Sequence, residues 1–318
     1  MEMRPLGSKG PEISVVGYGA WEAGGALWGT APSDRQLQDA MRAAIDAGCN
    51  WIDTAEIYGR GRSEGLVGPV ANERQGEVSI FTKFAPTGST VTPDRIAKAI
   101  RGSLQRLGLD HVDLYQIHWP TPHLDWEAAW GAMAGLVDEG LTRVIGLSNV
   151  GREEVERCEA VRHVDSVQNQ FSLLHQEDRD ELLPWLEERG VGYLAYGPLA
   201  FDLLTGAITA ETTFDPSDWR SGSMRMDYYD ELFGSGNFER NLEKIERLMR
   251  ISDAAGTDAA AASLRAALDV RGVTAVIAGS TKPDHVRANA AAGGLRIPAE
   301  TMQEIDAIFA RGRGGGRG

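Results

Sequence analysis

The 318-residue chain is 42% hydrophobic and 25% charged, and its 46 acidic side chains against 32 lysines and arginines give a formal net charge of −14. That acidity argues against nucleic acid or an anionic membrane as the main partner, and no apolar run approaches the ~18 residues that a membrane span requires. The start, MEMRPL, lacks a signal-peptide core, and Cys49 and Cys158 lie far apart without metal-ligand spacing, so a cytoplasmic protein with two buried spectator thiols is expected.

Taken in chain order, residues 3–13 read as a hairpin with Gly7 and Gly10 at its turn, placed to cover the floor of a barrel. From residue 15 on, short β-branched or apolar runs alternate with longer segments of helical period. Strands are expected at 15–18, 51–53, 78–84, 112–118, 144–148, 166–168, 192–196 and 275–278. Helices are expected at 33–47, 63–73, 93–107, 126–139, 152–161, 179–189, 238–255 and 283–291. In the third of these, Ile96, Ile100 and Leu104 recur every four residues, and Thr92 stands before Pro93 as an N-cap with proline at the first helical position. Eight such βα units spell an α/β protein with a parallel sheet, a (β/α)8 TIM barrel, in one domain over 1–310. Extra helices are expected at 258–270 and 299–310, and a long insertion at 201–237, rich in Gly, Ser, Asp and aromatics, is expected at the active-site face. The Gly/Arg tail, 311–318, reads as a flexible end.

Four polar residues stand at the ends of three of these apolar runs. Asp53 and Tyr58 lie in NWIDTAEIYG (50–59), Lys83 closes SIFTK (79–83), and His118 lies near the end of VDLYQIHWP (112–120). In a (β/α)8 barrel, residues that end or follow strands gather at the carboxyl-terminal mouth. A buried lysine needs a partner, which Asp53 supplies. A cation beside a phenol oxygen lowers the phenol pKa from about 10 towards the working pH. Tyr58 therefore reads as a general acid, Lys83 as the group that tunes it, and His118 as a neutral donor that orients a carbonyl oxygen. Each residue alone has a plainer reading as a cap, a rim aromatic or a core histidine; the conjunction at three successive strand ends points to chemistry.

These motifs resemble the aldo-keto reductase family. The likeness is carried by AIDAGCNWIDTAEIYG (44–59), Thr82-Lys83, RGSLQRLGLDHVDLYQIHWP (101–120) and IGLSN (145–149), and it runs from about residue 6 to residue 309. It implies metal-free hydride transfer from a nicotinamide C4 to an aldehyde or ketone, with Tyr58 as proton donor and Asp53, Lys83 and His118 completing the catalytic set. It also implies that Ser148, Asn149 and Gln168 hold the nicotinamide carboxamide, which needs donors and acceptors to fix its face. Tyr196, with Gly197 and Leu199 beside it in AYGPL (195–199), matches the aromatic that stacks on the ring. The adenosine end falls in IAGSTKPDHVRAN (277–289), where Gly279 and Ser280 offer backbone N–H groups ahead of a helix N-terminus. Ser280, Lys282, His285 and Asn289 fall on or beside the positions that contact the 2′-phosphate ribose and adenine. The sequence departs from NADPH-preferring relatives by having His285 in place of an arginine and Gly279 in place of a lysine; Lys282 and Arg287 are the cations left to compensate. NADPH is the expected cofactor and NADH the alternative. A Rossmann site is disfavoured by the absence of G-x-G-x-x-G.

For the substrate, Trp21 and Trp28 in AWEAGGALWG (20–29), together with Trp119, are expected to form a wall over the nicotinamide. Trp219, Tyr228, Tyr229 and Phe233 of the insertion are the expected lid, while Trp51, Trp126, Trp130 and Trp185 belong to core packing. His111, His123, His163 and His175 give no metal signal and default to surface or capping roles. The expectation is an NAD(P)H-dependent reductase of aldehydes, ketones or sugars. Its alternatives are an alcohol or sugar dehydrogenase on the same site and a cofactor-binding regulatory subunit of a membrane channel, the latter disfavoured by the intact four-residue set and a pI near 4.9.

Overall fold

The computed structural model describes residues 1–310 apart from 26, 31, 89, 90, 123, 225 and 227. The expectations for His123 and for the tail at 311–318 lie outside the described residues. An antiparallel hairpin, β1 (Met3–Pro5) and β2 (Glu12–Ser14), opens the chain. The parallel strands of the barrel are β3 (Val16–Gly19), β4 (Trp51–Asp53), β5 (Ser79–Phe84), β6 (Val112–Ile117), β7 (Thr142–Ser148), β8 (Ser166–Gln170), β9 (Gly192–Tyr196) and β10 (Ala275–Ile277). They close in chain order, with β10 paired back onto β3. Around them run α1 (Asp34–Asp46), α2 (Arg62–Glu73), α3 (Pro93–Leu107), α4 (Trp126–Asp138), α5 (Arg152–Glu159) and α6 (Leu182–Glu187). The insertion carries the single turn α7 (Tyr229–Leu232), and α8 (Asn237–Ala254), α9 (Ala259–Leu268), α10 (Pro283–Ala292) and α11 (Ala299–Phe309) complete the chain.

The expected (β/α)8 architecture is present, and the element bounds fall within two residues of expectation with one exception. The segment at 179–189 yields only Leu182–Glu187. Pro184 has no N–H to give and fits the first turn of a helix, where that N–H has no partner. Arg179 meanwhile turns aside to pair with Asp306, 3.2 Å away.

Strand parity positions the site. Side chains two apart on a strand share a face, and Trp51, Phe81, Leu114, Val144, Leu194 and Ala275 form one interior cluster inside the barrel. Two residues further along the same strands and the same face stand Asp53, Lys83, Gln116, Gly146, Tyr196 and Ile277. The apolar plug is thus one layer below a polar one. Gly17 admits the Trp51 indole, because a Cβ there would stand 2.1 Å from the ring, and the indole stacks on Phe81 at 4.9 Å between centroids. Leu6 and Ile13 of the hairpin join this cluster from below, so the hairpin does seal the floor. A second cluster lies between barrel and helices, and a third gathers the insertion with α8, α9 and α11 around the buried Trp219 and Phe201. Cys49 and Cys158 are buried free thiols. No helix among the described residues is long and apolar enough to cross a membrane.

Candidate active site

A cavity of about 660 Å³ opens at the carboxyl-terminal mouth, and its walls include Asp53, Tyr58, His118, Ser148, Asn149, Gln168, Tyr196, Gly197, Leu199 and Gly279. Residues expected separately from several motifs therefore meet in one hollow. Another hollow, of about 500 Å³, lies at the floor between the hairpin and the approach to β10. There Arg4 donates to the carbonyls of Leu268 and Val273, and Glu187, Asp269 and Arg271 join glycines and aliphatic residues in the lining.

At the bottom of the mouth, Lys83 is fully buried and its Nζ donates to Asp53 Oδ1 at 2.5 Å and to the Thr54 carbonyl at 2.9 Å. Gln168 Nε2 donates to the other Asp53 oxygen at 2.9 Å. Burial pushes Asp53 up and Lys83 down, and their mutual contact opposes both shifts. Behind Lys83, the adjacent Thr82 hydroxyl donates to Glu64, which also holds Arg106 at 2.6 Å, so α2 and α3 brace this strand end.

Tyr58 lies in a short 3₁₀ turn after β4, where Gly59 and Arg60 both adopt positive φ. Gly59 fits closely, since a Cβ there would stand 2.2 Å from the Gly24 carbonyl oxygen. The Tyr58 ring faces His118 edge-on at 5.5 Å, and Lys83 Nζ lies 5.2 Å from its centre. The direction of the phenol shift differs from the sequence expectation. Burial pushes Tyr58 well above its ordinary value, and Asp53, Tyr228 and Tyr196 add to the rise. Lys83 is engaged by Asp53 and Thr54, so it does not outweigh the loss of water. His118 moves as expected, since burial and the Lys83 charge hold it far below the ordinary imidazole value and therefore neutral. Its Nδ1 is buried with no partner among the described residues.

A chain of hydrogen bonds runs along the adjacent wall. Tyr196 donates to Asn149 Oδ1 at 2.7 Å, Asn149 Nδ2 donates to the His118 carbonyl at 2.8 Å, and Ser148 Oγ donates to the Gln168 carbonyl at 2.8 Å. Asn149 has φ 59°, a conformation that Asn tolerates better than most residues. These amides and hydroxyls supply the mixed donors and acceptors that a carboxamide requires, and Tyr196 supplies an aromatic face, so this end fits a nicotinamide. At the other end, the Tyr18 hydroxyl donates to the Ser280 carbonyl at 3.0 Å and steadies the loop ahead of α10. Asn289 is buried there, while Lys282 and His285 are exposed. Arg287 faces Asp284 at 2.9 Å and is already paired.

Trp21 and Trp28 meet edge-on at 4.9 Å and line the cavity with Trp119. Of the expected lid residues, only Tyr228 lines it. Trp219 is fully buried, with Phe233 5.6 Å from it, and these two with Tyr229 form the insertion's own core. Phe201, Met226, Leu27 and Ile57 also line the cavity and were not foreseen; Phe201 stacks on Tyr228 at 4.4 Å. Glu22 and Asp202 were missed as well, because an acidic residue in a loop reads as solvated surface. The insertion is fastened to the β3–α1 loop by the Trp219 main-chain N–H, which donates to the Leu27 carbonyl at 2.9 Å, and by Arg220, which lies 5.0 Å from the Trp28 ring centre. His175 binds Glu231 of α7 at 2.8 Å, a tie from the barrel to the insertion rather than a plain surface role.

The chain is similar in sequence and fold to known proteins. Over 318 aligned residues the chain is 31% identical to aldo-keto reductase YhdN of Bacillus subtilis, covering 97% of this chain and 94% of that protein. The structure of a glycerol dehydrogenase from Gluconobacter oxydans superposes with a TM-score of 0.84 at 29% identity, covering 97% of this chain and 94% of the other. An aldo/keto reductase from Klebsiella pneumoniae in complex with NADP and acetate superposes at 0.76 with 25% identity, covering 100% and 99%. The model of the Aldo/keto reductase family matches residues 15–310, and with it the closed barrel and the polar set at its mouth place this chain in that family.

Proposed function

We propose that the protein reduces the carbonyl of an aldehyde or ketone to an alcohol with NADPH, and that Tyr58 delivers the proton. The observation that carries this reading is the buried Asp53–Lys83 pair lying beside Tyr58 and His118 at the foot of one cavity. When bound, the nicotinamide supplies hydride to the carbonyl carbon. Ser148, Asn149 and Gln168 would hold the carboxamide, and Tyr196 would offer its face to the ring. His118, kept neutral, donates to the carbonyl oxygen and turns it towards Tyr58. Lys83, held by Asp53, places a positive charge near the phenol as the proton leaves. The aromatic walls exclude water, which strengthens each of these interactions.

Trp21, Trp28, Trp119, Phe201 and Tyr228 surround this point with flat apolar surface. That lining favours an aryl or branched aliphatic carbonyl at this point of the cavity. The same reading keeps the enzyme in the cytoplasm with a small carbonyl compound as its partner. The likeness to a glycerol dehydrogenase supports a second reading, alcohol oxidation on the same residues. The test is a titration with NADPH and NADH followed by tryptophan quenching, then turnover with aryl aldehydes, ketones, sugars and glycerol. Tight NADPH binding and faster aryl turnover are expected. Activity confined to glycerol and sugars with an oxidised cofactor would favour the second reading, and binding of neither nucleotide would remove both.

A further inference from the structure

The cavity wall between the nicotinamide end and the adenosine end is acidic. Its described lining includes Glu22 and Asp202 but no lysine or arginine. Glu22 opens the 3₁₀ turn Glu22–Gly24 that comes after β3, and its carboxylate lies against the tip of β10. A Cβ built on Gly279 would stand 2.6 Å from Glu22 Oε2 and 2.7 Å from the Gly19 carbonyl oxygen. The carboxylate thus sits where β3 and β10 end side by side, in the wall of the cavity that Asn149 and Gln168 also line and against the residue that leads into Ser280. Glu22 has no ion-pair partner among the described residues. Arg220 is committed elsewhere, to Asp202 at 2.6 Å and to Asp218 at 2.8 Å, with its guanidinium 5.0 Å from the Trp28 ring centre.

We propose that the diphosphate of the dinucleotide runs past Glu22 and that Glu22 is a gate on this path: the dinucleotide binds the form in which Glu22 carries a proton, and an ionised Glu22 repels the diphosphate. The inference rests on the dinucleotide-binding function proposed above. Three groups bear on Glu22. Asp202 of the insertion disfavours its charge, Arg220 of the same segment favours it, and Tyr18 of β3 is a phenol that burial keeps neutral. Burial is the largest influence and, with Asp202, pushes the Glu22 carboxyl up to about 8. Glu22 is then mostly protonated at neutral pH and mostly ionised above about pH 9. Binding therefore takes up a proton in alkaline solution, and affinity falls roughly tenfold for each pH unit beyond that point.

The test uses the full chain and NADPH, titrated by tryptophan quenching from about pH 6.5 to about pH 10, for the wild type and Glu22→Gln. The wild-type Kd is expected to rise roughly a hundredfold between about pH 7 and about pH 10, while the variant stays flat. Calorimetry on the wild type in two buffers of different ionisation enthalpy should find close to one proton taken up per cofactor in the alkaline range and almost none near neutrality. The same slope in both proteins would overturn the gate by placing the titrating group elsewhere. Weaker binding by Glu22→Gln at neutral pH would also overturn it, by making the carboxylate an acceptor for a ribose hydroxyl. Absence of proton uptake in the wild type overturns it without any variant. Failure of the folded wild type to bind NADPH or NADH at any pH would instead remove the underlying function.

Discussion

Replacing Lys83 with methionine keeps the length of the side chain but removes the charge from a site where both partners are almost wholly out of water, at 0% and 4% side-chain exposure. Asp53 would retain the Gln168 amide at 2.9 Å and lose its cation, and the Thr54 carbonyl would lose a donor. Removing one partner of a buried pair costs about 3–5 kcal/mol because the other charge is left uncompensated. For a chain of this size that corresponds to a fall in Tm of roughly 6–12 °C at neutral pH. The pH dependence comes from the sign of the Asp53 shift. Its carboxyl is already held above the ordinary value by burial, and the variant loses the Lys83 contacts that pull it down. The folded state then binds the proton more tightly than the unfolded state, so stability declines as pH rises from the unfolded carboxyl value through the folded one. Melting followed by circular dichroism should therefore show Lys83→Met closer to the wild type near pH 5 than near pH 7. The double variant Asp53→Asn, Lys83→Met, which leaves no orphan charge, should melt several degrees above the single one. A Tm within about 2 °C of the wild type at neutral pH, or a double variant no more stable than the single, would refute the view of Lys83 and Asp53 as a mutually dependent buried pair.

Tyr58→Phe should bind NADPH as the wild type does and lose about 10²–10⁴-fold in turnover, since only the proton donor is removed; comparable turnover would dismiss Tyr58 from the reaction. At saturating cofactor, reductive turnover should stay level from about pH 6 to about pH 9, because Tyr58 is held protonated above that range and His118 neutral throughout it; a fall centred near neutrality would contradict both assignments. His285→Arg, at an exposed position in the first turn of α10, should raise the preference for NADPH over NADH by roughly tenfold. An unchanged ratio would place the 2′-phosphate elsewhere.

The barrel was legible because its signals are local and repeated. Apolar runs ending in polar residues marked the strands, and Thr92, Pro93 and the spacing of Ile96, Ile100 and Leu104 marked α3 so clearly that its observed bounds are the expected ones. Asp53, Lys83 and His118 were legible for the same reason, since a charged residue that closes an apolar run on its inward face has few other uses. The loops were not. Whether Trp219 faces substrate or packs under Phe201 depends on how the insertion folds upon itself, with Arg220 reaching the Phe201 carbonyl within it and the Leu27 carbonyl fixing its seat from a distant part of the chain. No periodicity encodes that. Glu22 was invisible for a related reason: the partial shielding of its carboxylate arises only when the ends of β3 and β10 meet, a contact between residues more than two hundred and fifty positions apart. The direction of the Tyr58 shift escapes the sequence because residue order shows which charges are near one another but not how much water is lost.

That last point bears on the direction in which the site works best. On the proposed roles, reduction needs Tyr58 as a phenol and alcohol oxidation needs it as a phenolate. Burial, Asp53, Tyr196 and Tyr228 all favour the phenol, so at neutral pH the donor for reduction is almost fully populated and the base for oxidation is scarce. Reduction remains productive despite so weak an acid, because the oxygen that receives the proton becomes an alkoxide, a far stronger base than phenolate. Hydride arrival thus drives the proton transfer, and Lys83 stabilises the phenolate left behind. Oxidation on the same residues would have to begin by ionising a half-buried phenol beside a buried carboxylate. The family likeness to a glycerol dehydrogenase leaves either direction chemically available; the electrostatics of this particular cavity favour the carbonyl as the substrate at neutral pH.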